Sequence, residues 1–80
     1  MSRPAKRSLT LDGHRTSVSL EDAFWQAFRE IAEERGLGLN ALAARIDHQR
    51  DPQTGLATAI RLFVLAEYRR RLEDQRSSGS

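Results

Sequence analysis

The sequence contains no cysteine, which excludes disulfide bonds and thiolate metal sites. It has no apolar run near the roughly 20 residues that a membrane-spanning helix needs, and its N-terminus lacks the apolar stretch of a signal peptide. No cluster of side chains has the spacing of metal ligands. These absences predict a soluble, cytoplasmic chain without metal or cofactor.

The chain is also short of material for a large core. Eighty residues, of which 39 % are hydrophobic, allow one domain with a thin core. Small domains of this kind need a further source of stability. With disulfides and metals excluded, association of two copies is the source that remains, so we expect a homodimer.

Charge is unevenly distributed along the chain. Its net charge is only +2, but residues 1–20 carry +3, residues 21–60 carry −3 and residues 61–80 carry +2. A positive N-terminal end is what a polyanion-binding surface requires, although a solvated basic tail has the same composition. Residues 1–7 are interpreted as a flexible basic arm.

Polar and apolar residues alternate on both sides of a turn signal. Leu9-Thr-Leu11 alternates briefly, Asp12-Gly13 is a strong hairpin dipeptide, and Arg15-Thr-Ser-Val-Ser-Leu20 alternates clearly. A single strand cannot be stable alone. We expect its mate to be the same strand of a second chain, which gives an intermolecular antiparallel ribbon.

Three segments have helical periodicity. They are predicted at about residues 20–35, 39–48 and 56–74, with Gly36 ending the first and Asp51–Gly55 separating the other two. Ser19 is placed either to cap the first helix, with Asp22 completing a capping box, or to lie on the strand face. Residues 75–80 are interpreted as a disordered tail, which leaves residues 8–74 as the domain.

The third predicted helix is apolar over so wide an arc that it needs contact on two sides. In so short a chain, the second contact is expected to be another subunit. The side chains expected in the dimer core are Val18, Leu20, Phe24, Trp25, Phe28, Ile31, Leu42, Ile46, Ile60, Phe63 and Val64.

The stretch Phe28–Leu42 resembles the Arc/MetJ-type ribbon-helix-helix repressors. Residues 8–72 resemble more closely a bacterial subfamily of small stand-alone ribbon-helix-helix proteins. The motifs that carry the resemblance are Gly13-His-Arg-Thr-Ser17, Leu20-Glu21, Phe24-Trp25, Leu39-Asn-Ala-Leu42, Ile46-Asp47 and Ala59-Ile-Arg-Leu-Phe-Val-Leu65. Two features depart from the pattern: Arc-type repressors stop after two helices, and Gly55 stands where the closer relatives tend to have Asn.

The resemblance implies a mainly α fold with a short β-ribbon, an intertwined homodimer with an intermolecular two-stranded antiparallel sheet, and a third helix at the C-terminus. It places Arg15, Ser17 and Ser19 on the side of the ribbon that faces the major groove. The Arg fork can take guanine O6 and N7 together, and hydroxyls bind either kind of base. The alternative is an ordinary solvent-exposed strand face.

Phosphate contacts are expected at the start of the second helix, Gly38-Leu39-Asn40. Free backbone N–H groups and the helix dipole attract anions there, and Asn40 can add a donor or serve only as a turn residue. Lys6 and Arg7 of the basic arm are further candidates for phosphate contacts. Asp47 and His48 are adjacent on a helix and point about 100° apart, so they form no acid–base pair and no catalytic residue is predicted.

The expected function is sequence-specific binding of double-stranded DNA by a homodimeric transcriptional regulator, a repressor rather than an activator. Twofold symmetry predicts an inverted-repeat operator, and higher-order assembly on DNA stays open. One alternative is an antitoxin, although residues 73–80 are too short and polar for a toxin-binding extension. Another is a helical adaptor dimer that binds no DNA.

Overall fold

The structure is a computed structural model that describes residues 3–78, with side chains described for residues 3–76. Two strands are followed by three helices. Their bounds are β1 Ala5–Leu11, β2 His14–Leu20, α1 Asp22–Glu34, α2 Leu39–Gln49 and α3 Leu56–Ser78. The predicted combination of a two-stranded antiparallel sheet and three helices is confirmed.

The two strands form a hairpin closed by Asp12-Gly13. Asp12 has φ 51° and Gly13 has φ 82°, so both central residues lie in the left-handed region that a type I′ turn requires. Seven residue pairs follow, from Leu11 opposite His14 to Ala5 opposite Leu20. The twist of a type I′ turn matches that of the strands, which explains why a two-residue connection suffices.

This hairpin adds a strand to the expected ribbon. Both strands of the sheet belong to one chain, and the expected pairing of β2 with the same strand of a second copy stays a prediction. The expected arm of residues 1–7 is shorter for the same reason, because β1 begins at Ala5. Met1 and Ser2 lie outside the described residues.

Helix α1 begins later than expected because Ser19 and Leu20 stay in the strand. Its N-cap is Glu21, which makes no side-chain capping hydrogen bond. Of the two positions left open for Ser19, the structure therefore has the strand face and not the helix cap. At the other end, Gly36 has φ 66° and donates its N–H to the carbonyl of Glu33, while Leu37 donates to that of Ala32. This is a Schellman motif, and it ends the helix where the sequence predicted.

Helices α2 and α3 are joined by a short turn. Asp51 accepts hydrogen bonds from the N–H groups of Gln53 on its side chain and Thr54 on its carbonyl, both at 2.8 Å. Helix α3 then runs from Leu56 to Ser78, so the expected disordered tail is helical over residues 75–78. Residues 79 and 80 of that tail lie outside the described residues.

One face of the sheet packs under the helices and forms a single core. The buried apolar side chains are Leu9, Leu11, Val18, Leu20, Phe28, Ile31, Ala32, Leu42, Ala43, Ile46, Ile60 and Val64, and partly buried Phe24, Trp25 and Phe63 pack against them. The residues expected in the dimer core all lie in or against this core, and their role in a dimer stays a prediction. Strand β1 adds Leu9 and Leu11, which explains how a single chain covers them.

A buried carboxylate ties α1 to α3. Glu67 is 6 % exposed and pairs with Arg35 and Arg70 at 2.6 Å, and with Arg71 at 3.3 Å. Hydrogen bonds from these arginines, that of Arg70 first, hold the pKa of Glu67 at about 2 against the effect of burial. Arg71 also reaches Glu34 at 2.7 Å. The Arg-rich segment of α3 thus serves largely to fix the helices together.

Candidate nucleic-acid interface

The outer face of the hairpin carries only polar side chains. Because side chains alternate along a strand, every second residue of β1 and β2 points away from the helices. The three outward pairs of the register are Lys6 opposite Ser19, Ser8 opposite Ser17, and Thr10 opposite Arg15. All six residues are exposed. They form one continuous surface, called here the outer face.

The outer face is positively charged and can attract an anion. It holds two cations, Lys6 and Arg15, and no acidic residue. Within the described part of the chain, neither cation has an ion-pair partner. The nearest acid along the strands, Asp12 in the turn, is engaged at 2.6 Å by Nε2 of His48. Both cations therefore remain available to a partner molecule.

Four of the predicted site residues meet on this face: Arg15, Ser17, Ser19 and Lys6. Ser8 and Thr10 were not predicted as site residues, although the alternation from Lys6 to Leu11 carried the signal. That segment resembled an arm followed by a brief alternation, so the polar positions of β1 were not aligned with those of β2. The hairpin register brings the two rows side by side.

Arg7 lies on the opposite face of the sheet. It pairs with Asp22 at 2.8 Å, and its guanidinium carbon lies 5.6 Å from the centre of the Trp25 ring. Its side chain is only 21 % exposed. The structure thus separates Arg7 from Lys6, with which the sequence analysis had grouped it.

The start of α2 lies against the outer edge of β1. Asn40 accepts a hydrogen bond on Oδ1 from the backbone N–H of Thr10 at 3.0 Å. Gly38 is the N-cap and makes no side-chain capping hydrogen bond, and both Gly38 and Asn40 are exposed. The predicted segment Gly38-Leu39-Asn40 therefore sits beside the outer face, with its first-turn N–H groups uncapped by a side chain.

The free edge of β2 lies on the side of the hairpin away from β1, and most of its backbone groups point to solvent. In this register the closing pair Leu11–His14 exchanges hydrogen bonds, so the N–H and C=O groups of Arg15, Ser17 and Ser19 point outward from the hairpin. Arg61 occupies one of them, donating to the carbonyl of Ser19 at 3.1 Å. The remaining groups form a short free strand edge.

Arg61 fixes the end of that edge. It pairs with Glu21 at 2.8 Å, and its guanidinium carbon lies 5.9 Å from the centre of the Phe24 ring. The hydrogen bond from Arg61 lowers the pKa of the Glu21 carboxyl. This ion pair therefore holds α3 against the junction of β2 and α1 over the physiological pH range.

The described part of the chain contains no group of three or more His, Cys, Asp or Glu residues placed to hold a metal ion. None of its helices has the length and hydropathy to cross a membrane. The outer face and the adjoining start of α2 form the surface on which the predicted DNA-contacting residues other than Arg7 lie.

Comparison with known proteins identifies the family. No match is found among curated proteins or among solved structures. A family model described as a ribbon-helix-helix domain matches residues 4–68, which covers both strands, α1, α2 and most of α3. Proteins with this domain are generally DNA-binding transcription regulators or antitoxins rather than enzymes. The chain belongs to the ribbon-helix-helix domain family.

Proposed function

We propose that this protein binds double-stranded DNA sequence-specifically as a homodimeric transcriptional regulator, acting as a repressor by occupying its operator. The observation that carries the proposal is the outer face, where six exposed polar side chains include two unpaired cations and no acid. A two-stranded β-ribbon fits the major groove, and its side chains can reach the base edges there. Membership of a family that typically binds DNA as a dimer supports the same proposal.

The dimer is proposed to form through the free edge of β2. Antiparallel pairing of two β2 strands around a twofold axis near Ser17 satisfies the outward N–H and C=O groups. The carbonyl of Ser19 can still accept, since a carbonyl oxygen has two lone pairs. The result is a four-stranded sheet in the order β1, β2, β2, β1, with both outer faces on one side.

The dimensions of this sheet assign different roles to its rows. Strands lie about 4.8 Å apart, so the two β1 strands are about 14 Å apart across the sheet, against a major groove about 12 Å wide. The central rows of Arg15, Ser17 and Ser19 then enter the groove and read bases. The β1 rows lie over the groove walls, where Lys6 contacts phosphate.

The start of α2 completes the phosphate contacts. It borders β1 on the side away from β2, so in the dimer it lies outside the groove walls. Uncapped N–H groups at Gly38-Leu39-Asn40 and the helix dipole favour a phosphate there. Asn40 has its Oδ1 on Thr10, which leaves its amide group as the donor. Arg7, held by Asp22 on the other face, is not part of the proposed interface.

Selection from a pool of random duplexes tests this function. We expect the protein to enrich an inverted repeat with G·C pairs at symmetric positions, because Arg15 is the one side chain of the central rows that can bind guanine bidentately. Enrichment of no sequence above the starting pool, at an ionic strength near 0.15 M, would contradict specific binding.

Paired proline substitutions test the dimer. In Ser17→Pro the lost N–H points to the free edge of β2, whereas in Ser8→Pro it points to the outer edge of β1, and neither N–H joins the hairpin strands. We expect Ser17→Pro to abolish β2-mediated association in sedimentation experiments without DNA, and Ser8→Pro to retain it. Equal association of the two variants would contradict pairing through β2.

A second candidate is an antitoxin, since this family includes antitoxins and α3 exposes apolar side chains that a toxin could cover. The two functions differ in what binds α3. Recovery of a single second protein at equal stoichiometry with the chain would favour the antitoxin if the substitution Leu65→Glu abolishes that recovery.

A further inference from the structure

We propose that the outer side of α3 is a self-association surface, on which α3 of a second copy packs antiparallel. The residues that carry this inference lie opposite the core-facing side of the helix. Leu62 is 57 % exposed, Leu65 52 % and Leu72 49 %, and Tyr68 beside them is 40 % exposed. Large apolar side chains that line up on one exposed helix face mark an interaction site rather than ordinary surface.

The spacing of these residues fits helix pairing. Leu62, Leu65 and Leu72, with Arg69 between them, occupy successive positions three and four residues apart, which is the seam of a coiled coil. Buried Ile60, Val64 and Glu67 lie on the opposite side of the helix. Helix α3 thus has two seams, one used by the core of its own chain and one unused.

A groove beside the unused seam supplies the complementary half of a contact. It has a volume of about 400 Å³ and lies between the end of α2 and the first turns of α3. Its apolar wall is formed by Ile46, Ala59, Leu62 and Phe63. Leu62 belongs both to the groove and to the seam, so the two form one continuous apolar surface.

The positions of groove and seam favour a second copy over an unrelated partner. Leu72 lies ten residues beyond Leu62, about 15 Å along the helix. When two α3 helices run antiparallel around an axis near residue 67, each Leu72 meets the Leu62 groove of the other chain, and each Leu65 meets Arg69. Every contact then occurs twice, as an isologous interface requires.

Charged residues at the seam are compatible with this arrangement. Arg69 is the one member of the Arg69–Arg71 cluster without an ion pair in the described part of the chain, while Arg70 and Arg71 are held by Glu67. The aliphatic stem of Arg69 can cover Leu65 of the other chain while its guanidinium stays in water. Ala66 near the axis is small enough for the helices to approach closely.

The α3 contact uses residues other than those of the β2 edge, and we propose that the two contacts together join dimers into larger assemblies. For the role of such assemblies on DNA the inference rests on the proposed function: adjacent operators would be bound cooperatively. The association itself is measured without DNA, so its failure is distinguishable from failure of DNA binding.

Sedimentation velocity over a range of concentrations tests the surface. We expect Leu72→Glu and Leu62→Glu each to lower the association constant of the full chain at least tenfold, because each places a charge in both symmetric contacts. Gln26→Glu on the exposed side of α1 is the matched control and should associate as the unmodified chain does. In the double variant Ser17→Pro, Leu72→Glu, both interfaces are lost and the chain should be monomeric.

Cross-linking tests the direction of the helices. The chain has no cysteine, so single-cysteine variants react only at the chosen site. Antiparallel packing brings the two copies of residue 66 together and keeps the two copies of residue 75 far apart. A short thiol–thiol cross-linker should therefore join Ala66→Cys chains and leave Gln75→Cys chains unjoined. Association that is unchanged in Leu72→Glu and Leu62→Glu, or joining of Gln75→Cys alone, would overturn the proposal.

Discussion

Glu67 shows how one side chain can decide the stability of so small a fold. It is the buried carboxylate at the junction of α1 and α3, and three arginines surround it. Nothing in the periodicity of α3 distinguishes it from the exposed acids nearby. The sequence places it three and four residues from Arg70 and Arg71, but its contact with Arg35 depends on the tertiary structure.

The pKa of Glu67 makes a prediction about acid stability. Its folded value of about 2 lies below the ordinary 4.5, so its contribution is complete above pH 4.5 and is lost as the pH falls towards 2. We expect Glu67→Gln to lower the free energy of unfolding at pH 7 by about 1–3 kcal/mol. Urea titrations at several pH values should show a smaller loss of stability between pH 4.5 and 2 for the variant. If the free energy of unfolding of the variant depends on pH in that range as steeply as that of the unmodified chain, the role of Glu67 is contradicted.

Lys6 and Arg15 share the outer face but are assigned to different parts of DNA. Removing a phosphate contact weakens binding to every sequence, whereas removing a base contact weakens binding to the selected site. We expect Lys6→Ala to reduce the slope of log affinity against log salt by about 0.9 for each phosphate released and to leave sequence preference intact. Anisotropy titrations with specific and nonspecific duplexes at several salt concentrations measure both. Loss of preference in Lys6→Ala would place it on bases instead.

Among the elements, the helices were the most predictable and the first strand the least. Periodicity and the glycine stop predicted the three helices to within a few residues at most ends. Strand β1 was taken for an arm because its first residues are basic. Arg7 is held in place by contacts with Asp22 and Trp25, which lie 15 and 18 residues further along the chain. Alternation alone cannot reveal such contacts.

The turn that the sequence did predict determines whether β1 exists at all. Gly13 has φ 82° and open space around the position of a Cβ, so a substitution there acts through backbone conformation alone. We expect Gly13→Ala to destabilise the fold by about 1–2 kcal/mol and Gly13→Asn by clearly less, since Asn tolerates the left-handed region. Thermal unfolding of the two variants measures the difference. Equal destabilisation would contradict a type I′ turn.

The link between β1 and α2 can be separated from phosphate binding at Asn40. Asn40→Asp keeps an oxygen that accepts from the N–H of Thr10 but introduces a negative charge at the proposed phosphate site. We expect its stability to stay within about 0.5 kcal/mol of the unmodified chain, while its affinity for DNA falls at least fivefold. Thermal unfolding and anisotropy measure the two effects. Full DNA affinity in this variant would remove the start of α2 from the interface.

For the whole protein, the sequence predicted the class of fold and the side of the strand that faces outward, but not the extent of the core. The apolar residues of a thin core look the same whether one chain or two cover them. Val18, expected in the dimer core, lies within the core of its own chain. Val18→Asp would therefore unfold the chain and could not report on association. Association is better tested by Ser17→Pro, because the backbone N–H of Ser17 lies on the free edge of β2.

The two proposed association surfaces lie on different elements, the edge of β2 and the outer side of α3. Because the core side chains are covered within one chain, we expect each chain to fold without either contact. Association still adds stability by mass action, so the melting temperature should rise modestly with protein concentration. In an intertwined dimer, folding and association are instead inseparable.

The central claim, that the outer face binds DNA, is tested most directly by comparing Arg15→Ala with Arg29→Ala. Both substitutions remove one exposed arginine that has no ion pair within the described residues, the first on the outer face and the second on α1. With the duplex that the unmodified protein selects, and with competitor DNA present, we predict that Arg15→Ala loses about 5- to 150-fold in affinity, corresponding to about 1–3 kcal/mol. Arg29→Ala should stay within about twofold of the unmodified protein, as expected for a charge outside the interface. Equal affinities for the two variants would contradict the account.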